Sequence, residues 1–286
     1  MRLLITSDLH YNHARSKLLA QDLIHQMNQA GGDALLVIGD TAAADGTGLE
    51  ECLSLFNFKG PKLLVAGNHE LWTHGDDSYS LLRDELPRRV REVGWQWLQD
   101  EPFAADDFAI VGSIGWYDYS FAQPDLGIPK RFYAAKISPG AAERDPDFAP
   151  LFETRDDLTT EAMNVVARWN DGRFVKLHRG DETFVDELIG NLSSQLAALR
   201  DKRRILTAIH HLPFAELLPP PHSAQWDFAK AYLGSARIGE LLLKHPQVSH
   251  LYCGHSHFPA RARVKHIDAI NVGSGYRAKR FETLDL

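Results

Sequence analysis

Five short apolar runs, each followed at once by small and polar residues, constrain the fold more than any other feature of the sequence. They are RLLIT (2–6), ALLVI (34–38), KLLVA (62–66), RILTAI (204–209) and VSHLYC (248–253). Such runs, bounded by turn-forming residues, are typical of buried strands. Segments of helical length separate the first three runs, and residues 16–27 and 48–56 carry apolar side chains at helical spacing. The alternation of strand and helix predicts a layered α/β sheet.

The rest of the chain continues this pattern with one interruption. A helix is predicted at about 77–93, interrupted or offset by Pro87, and strands at 95–98, 108–113, 261–264 and 268–272. Residues 118–203 differ, because an aromatic, Pro- and Gly-rich stretch leads into helical patterns near 158–170 and 182–200. They separate two strands of one core and show no α/β alternation of their own. We interpret them as an insertion or cap within a single domain that spans residues 1–286.

Charge and cysteine content exclude several classes of protein. A net charge of -7 makes extended nucleic acid an unlikely partner, since such proteins usually present a broad basic surface. Residues 1–10 do not read as a secretory signal, and no apolar run approaches the length of a membrane span. Two cysteines, Cys52 and Cys253, are too few for a disulfide framework, which indicates the cytoplasm. No obligate protein partner is evident.

Each of the five buried runs ends in residues that can bind a metal ion or a phosphate group. These are Asp8 and His10, then Asp40, then Asn68 and His69, then His210 and His211, and finally His255 and His257. Any one of them alone is better explained as a capped turn or a strand exit. Ligands gather at the carboxyl ends of strands in α/β sheets, so we expect the five sets to converge on one crevice. Cys253 precedes the last set and is a further candidate ligand.

The chemistry of these side chains favours a metal centre. Carboxylate and amide oxygens and imidazole nitrogens suit Mn²⁺, Fe or Zn²⁺, with Mn²⁺ and Fe preferred here, whereas cysteine-rich sets favour structural zinc. There are too many donors for one ion but enough for two ions that share a carboxylate. Two such ions, ~3.5–4 Å apart, can hold a hydroxide and clamp a phosphoryl group.

The ordered motifs resemble those of the calcineurin-like metallophosphoesterase superfamily. They are Asp8-Leu9-His10, Gly39-Asp40, Gly67-Asn68-His69-Glu70, His210 in AIHHLP, and Gly254-His255-Ser256-His257. The resemblance implies a two-sheet β-sandwich flanked by helices, an α/β fold, with a helical insertion. It also implies that Asp8, His10, Asp40 and His257 bind one ion and that Asp40, Asn68, His210 and His255 bind the other.

Further roles follow from the same resemblance. His69 would protonate the leaving oxygen and Asp40 would bridge the ions, while Asn68 would also face substrate. His211 would support the ligands or contact substrate. Apart from the resemblance, the conformational freedom of glycine predicts that Gly254 permits a tight turn between the last strand and the two final histidines. The predicted protein is a hydrolase of ester bonds that cleaves a small-molecule or nucleotide phosphodiester or monoester by a metal-bridging hydroxide.

The sequence departs from the phosphoprotein phosphatases of this superfamily. Their second motif supplies an Asp that pairs with the catalytic His and an Arg that binds phosphate, but GDTAAADG places Ala43 and Ala44 at those positions. Asp45 is displaced by two residues, and its ability to pair with His69 is left open. Phosphoprotein phosphatase is therefore the alternative activity, and a non-catalytic scaffold is the alternative class. The aromatic segment 116–121 fits either base stacking or a plug that seats the insertion.

Overall fold

Two mixed β-sheets stack face to face in the computed structural model, which describes residues 1–286. The first sheet has the strand order β11-β1-β2-β3-β4 and the second β5-β6-β7-β8-β10-β9. β1 to β4 are parallel, as are β6, β7, β8 and β10, whereas β11, β5 and β9 pair antiparallel at the edges. The strands are β1 (Arg2–Ser7), β2 (Ala34–Ile38), β3 (Lys62–Val65), β4 (Gln96–Trp97), β5 (Phe103–Ala104), β6 (Phe108–Ser113), β7 (Arg204–Ile209), β8 (Val248–Cys253), β9 (Ala260–Val264), β10 (Ile267–Asn271) and β11 (Phe281–Asp285).

Helices cover the two outer faces and form the connection between β6 and β7. They are α1 (Ala14–Ala30), α2 (Gly48–Ser54), α3 (Ser78–Ser80), α4 (Leu86–Glu92), α5 (Lys130–Ala134), α6 (Pro139–Ala142), α7 (Thr160–Asn164), α8 (Asp171–Phe174), α9 (Asp181–Ala198), α10 (Ala224–Ala229) and α11 (Ala236–Leu243). Short 3-10 turns occupy His69–Leu71, Pro124–Leu126, Pro146–Phe152, Ala215–Leu217 and Lys230–Tyr232. No helix is both long enough and apolar enough to cross a bilayer.

Alternating side chains of the central strands explain the four layers. On β1, Leu3 and Ile5 enter the core between the sheets, where they meet Ile110 of β6 and Leu206 of β7. Leu4 points to the opposite face and packs with the helices that cover the first sheet. A strand that is apolar at successive positions must be covered on both sides, because its side chains alternate between faces. The predicted two-sheet sandwich flanked by helices is confirmed.

One predicted helix contains an unexpected change of pitch. The segment expected at 77–93 runs as α3, a π-helical turn at Leu81–Glu85, and α4. Pro87 lies near the start of α4, where its missing N–H removes the hydrogen bond that a regular helix would form. A π-helical turn directly before it lets the helix pass the proline without ending.

The chain between β6 and β7 divides into two parts. Its last helix, α9, matches the helical pattern near 182–200 and packs Leu192 and Leu196 on the outer face of the second sheet. The earlier pattern near 158–170 was expected to be one helix, but only α7 forms within it. Residues 165–170 are irregular because Ser138 holds the strand-like backbone at Val165 and Ala167 by hydrogen bonds. The irregular segment leads into α8 beside the site described next.

Candidate metal centre

The loops that follow β1, β2, β3, β7 and β8 meet at one edge of the sandwich. Backbone hydrogen bonds hold them together: the Asp8 N–H donates to the Gly39 carbonyl, and the Gly254 N–H donates to the His210 carbonyl. Asp8, His10, Asp40 and His257 offer ligand atoms within 4.8 Å of one another, and so do Asp40, His210 and His255. The structure therefore brings these six predicted ligands together, with Asp40 common to both groups.

The first group aims four donor atoms at one point. Nε2 of His10 lies 2.9 Å from Nε2 of His257 and 3.7 Å from Oδ2 of Asp40, and Nε2 of His257 lies 3.5 Å from Oδ1 of Asp8. Asp8 and His10 are fully buried. Lone pairs that converge in a buried site are unfavourable unless a cation lies among them. This donor set fits a divalent ion.

The second group presents unpartnered lone pairs fixed by hydrogen bonds on the opposite side of each ring. Nδ1 of His210 donates to the Ile38 carbonyl at 3.0 Å, which directs Nε2 toward Oδ1 of Asp40 at 3.3 Å. Nε2 of His255 donates to the Tyr232 carbonyl at 3.2 Å, and its buried Nδ1 has no partner. The buried Oδ1 of Asn68 also lacks a partner. These atoms fit a second ion, because an acceptor that faces other acceptors needs a cation.

Burial and mutual charge prepare these groups for metal binding. Burial, together with the charge of His210, lowers the pKa of His255 to about 3, and burial beside His69 holds the pKa of His10 well below its usual value. Burial opposes ionisation of Asp40, but His210 and His69 hold the pKa of that carboxyl well below its usual range. Burial lowers the pKa of His210, yet Asp40 outweighs it and raises that pKa to about 9. His10 and His255 are thus neutral and ready to bind, whereas an ion at His210 would have to displace the proton that Asp40 stabilises there.

Backbone conformation at the ligands is unusual. Five of them have a left-handed backbone: Asp8 (φ 52°), His10 (φ 44°), Asp40 (φ 53°), His255 (φ 68°) and His257 (φ 56°). Only a few per cent of non-glycine residues adopt this region, and such residues cluster at functional sites. The backbone of Gly254 is not left-handed, so this position does not need glycine for a positive φ angle, contrary to the prediction that its flexibility permits the turn. A Cβ there would lie 2.3 Å from Oδ2 of Asp8, so glycine is needed for close approach.

Glu70 anchors the loops beneath the ligands. Its fully buried carboxylate accepts backbone N–H groups from Gly67 at 2.6 Å, Asp40 at 2.9 Å, Thr41 at 2.5 Å and Ala42 at 3.2 Å. As a local motif, GNHE predicts only a glutamate in the first turn after Asn68. Four backbone donors on one carboxylate fix the relative positions of the Asp40 and Asn68 loops.

His69 lies beside the ligands and lines the same cavity as Asn68. Its ring stacks on Trp72 with centroids 3.7 Å apart, and its Nε2 lies 3.9 Å from Oδ2 of Asp40 and 3.5 Å from the Tyr276 hydroxyl. Asp45 does not pair with it, because the Asp45 carboxylate accepts from the Thr73 hydroxyl and the His74 N–H. The predicted position of His69 near the metal ligands agrees with this geometry, and its role as a general acid stays a prediction.

Two other predicted residues, His211 and Cys253, lie outside both ligand groups. His211 is fully buried, donates from Nδ1 to the Ile114 carbonyl at 2.9 Å, and packs against His255 with ring centroids 4.1 Å apart. This burial favours support of His255 over contact with substrate. Cys253 is a buried free thiol outside both ligand groups.

An aromatic cavity of about 260 Å³ opens beside the ligands. Its lining includes Asp40, Asn68, His69, His255, His257, Trp72, Trp169, Trp226 and Tyr276. Trp72, Trp169 and Tyr276 were missed, because nothing in their local sequence separates a cavity wall from a core aromatic. Trp116 and Tyr117 are fully buried, so that part of the 116–121 segment acts as a plug rather than as a stacking surface.

Comparison with known proteins agrees with this geometry. A family model described as calcineurin-like phosphoesterase matches residues 1–259. The fold is similar to that of phosphopantetheinyl hydrolase (PptH) from Mycobacterium tuberculosis, with a TM-score of 0.69 and 20% identity over 96% of this chain and 89% of that chain. It is also similar to a dimetal phosphatase from Danio rerio, with a TM-score of 0.54 and 17% identity over 99% and 91%. No curated protein matches the chain.

Proposed function

The chain belongs to the calcineurin-like phosphoesterase family, and on that premise we propose that it hydrolyses a small phosphorylated substrate with two divalent metal ions. One observation carries the proposal: the Asp40 carboxylate belongs to both ligand groups, with Oδ2 facing His10 and Oδ1 facing His210. A shared carboxylate is what a two-metal site requires. The donor set of carboxylate, amide and imidazole supports Mn²⁺ or Fe over a closed structural zinc site.

When bound, the two ions would supply Lewis acidity at the phosphoryl oxygens and an acidified water. The chain's own residues would hold the ions and donate a proton. Asp8, His10 and His257 would hold one ion, Asn68, His210 and His255 the other, and Asp40 both. His69 lies at the cavity wall, where its ring is fixed by stacking on Trp72. From there it would donate a proton to the leaving oxygen.

The cavity supports a small-molecule or nucleotide ester over a phosphoprotein. Its volume of about 260 Å³ suits a compact group, and Trp72, Trp169 and Trp226 give it apolar walls. Such walls would pack against an apolar or planar part of the substrate. Arg168 also lines the cavity, but Asp145 lies 3.4 Å from its guanidinium.

Metal-dependent hydrolysis tests the proposal. We expect purified protein reconstituted with Mn²⁺, Fe²⁺ or Zn²⁺ to hydrolyse bis-(p-nitrophenyl) phosphate or p-nitrophenyl phosphate, and Asp40→Ala and Asn68→Ala to lose that activity. Undiminished activity in either variant would refute the assignment. Glu51→Gln is a control on the exposed surface of α2, and it should behave as the unaltered protein.

A substrate panel would then separate the alternatives. It should contain cyclic nucleotides, nucleoside monophosphates, a phosphopeptide and a phosphopantetheinyl compound, the last because one similar structure is named a phosphopantetheinyl hydrolase. Preference for the phosphopeptide would favour the phosphoprotein phosphatase alternative. Metal analysis that finds no bound ion in an inactive protein would favour the scaffold. The cytoplasm stays the proposed compartment, supported by two unpaired cysteines.

A further inference from the structure

A fully buried carboxylate of the segment between β6 and β7 lies directly behind the predicted ligand Asn68. Asp171, the first residue of α8, accepts four hydrogen bonds, all from neutral donors. Its Oδ1 accepts from Nδ2 of Asn68 at 2.9 Å and from Nε1 of Trp72 at 2.7 Å. Its Oδ2 accepts from Nε1 of Trp169 at 2.8 Å and from the Tyr117 hydroxyl at 3.1 Å. A buried carboxylate without a cationic partner is expensive unless donors surround it.

This contact determines which way the Asn68 carboxamide points. The Asn68 amino group donates to Oδ1 of Asp171, which also accepts the Trp72 N–H, so the amino side of the carboxamide faces Asp171. The Asn68 carbonyl oxygen then points the other way, where it is buried and without a partner. That is the atom that would bind the second ion. Without Asp171, rotation of the amide would present two N–H groups to the ion instead.

The same carboxylate fixes two walls of the cavity. Trp72 and Trp169 both line the cavity and both donate to Asp171. Trp72 stacks on His69, and Trp169 stacks on Tyr232 with ring centroids 5.2 Å apart and an interplanar angle of 8°. The Asp171 side chain thus connects the predicted ligand Asn68 with both tryptophan walls of the cavity, one of which stacks on His69.

We propose that Asp171 is a positioning residue that aims the Asn68 carbonyl at the second metal ion and holds Trp72 and Trp169 as substrate walls. The segment between β6 and β7 therefore completes the metal centre rather than only covering it. The inference rests on the proposed function, because it assigns Asn68 to the second ion.

The substitution Asp171→Asn keeps the shape and replaces one acceptor oxygen with a donor. The new amino group must face either Asn68 and Trp72 or Trp169 and Tyr117, so at least one tryptophan N–H loses its acceptor. We expect calorimetric titration of the metal-free protein with Mn²⁺ to show a second-ion affinity reduced about 10- to 100-fold, with the first-ion affinity unchanged. Near-ultraviolet circular dichroism should change as the tryptophans lose their fixed orientation.

Asp181→Asn is a matched control. Asp181 is a buried carboxylate of the same segment that also accepts from a tryptophan, Trp116, and from Lys136, but it does not line the cavity. Its substitution should lower stability without changing either metal affinity. If the two variants lower second-ion affinity equally, Asp171 is only a structural residue and the inference is wrong.

An exchange of the two side chains gives an independent test. In the double variant Asn68→Asp with Asp171→Asn, a carboxylate at 68 accepts from the amide at 171 and still offers an oxygen to the ion. We expect the double variant to bind the second ion more tightly than Asp171→Asn does. If Asp171→Asn does not fold, the second-ion affinity of the double variant tests the inference by itself. A folded double variant that binds one ion would overturn the inference. If the unaltered protein itself binds fewer than two ions, the proposed function fails instead.

Discussion

Replacing Gly254 with alanine would insert a methyl group into the space that Asp8 occupies. The added Cβ would lie 2.3 Å from Oδ2 of Asp8 and 2.8 Å from Cβ of Ser7. Neither neighbour can move freely. Ser7 is the last residue of β1, and the Asp8 carboxylate accepts the His255 N–H at 3.0 Å and 3.2 Å. Relief of the contact therefore requires that the Asp8 carboxylate leave its position.

The size of the effect follows from this geometry. Overpacking a rigid core costs about 1–3 kcal/mol, which at about 2 °C per kcal/mol lowers the Tm of a chain of this size by roughly 2–6 °C. A ligand displaced by about 1 Å reduces catalysis by roughly 10²-fold. First-ion affinity should fall with it, because Asp8 belongs to only that ligand group.

Calorimetry of the metal-free protein and titration with Mn²⁺ would measure both effects. Gly190→Ala is the matched control, since a Cβ at this position of α9 meets nothing within 4 Å. Alanine in a helix interior should raise stability by about 0.5–1 kcal/mol without changing metal affinity. If Gly254→Ala keeps both its Tm and its first-ion affinity, the close-approach explanation for this glycine is wrong.

Three further predictions address other residues of the site. His69→Asn should lower kcat by about 10²–10⁴-fold for an alkyl phosphodiester but much less for p-nitrophenyl esters, because the p-nitrophenolate leaving group needs no proton. An equal loss of kcat for both substrates would exclude general acid catalysis by His69. Glu70→Gln should destabilise the metal-free protein by roughly 2–6 kcal/mol, as measured by urea unfolding, because the new amino group would face two backbone N–H donors. A loss of stability below about 1 kcal/mol, on the order of a surface substitution, would contradict this prediction. Cys253→Ala should leave metal content unchanged by elemental analysis. The thiol should also resist alkylation in the folded state, because burial raises the pKa of the Cys253 thiol.

The sequence predicted the elements that apolar patterning determines. β2, β6, β7 and β8 have the predicted bounds, because each is a mainly apolar run closed by glycine, serine or histidine. The candidate ligands were also predictable as a set, since Asp8 and His210 follow such strands directly and Asp40 and His255 follow them after one glycine. β11 was missed because this edge strand carries mixed polar and apolar residues, and β5 because two residues are too few to form a pattern.

What sequence patterns could not supply were contacts between distant segments. Asp171 lies 103 residues from Asn68 along the chain, and nothing in WNDGRF distinguishes it from a helix-capping aspartate. Glu70 lies in the helical turn that follows Asn68, whereas three of its four donors come from the loop after β2. Both are buried carboxylates whose partners are defined only by the folded chain.

The left-handed ligands make the site a source of instability when metal is absent. At about 1–2 kcal/mol per residue, five such conformations oppose folding by roughly 5–10 kcal/mol, which is comparable with the whole stability of a typical domain. Ions that bind only the folded chain would offset this, so a chelator should act on the protein as a mild denaturant. Glycine at position 10 or 257 should make the metal-free chain more resistant to heat while it removes a ligand. At these two positions, selection for thermal stability would therefore favour glycine, whereas selection for ion binding would favour histidine.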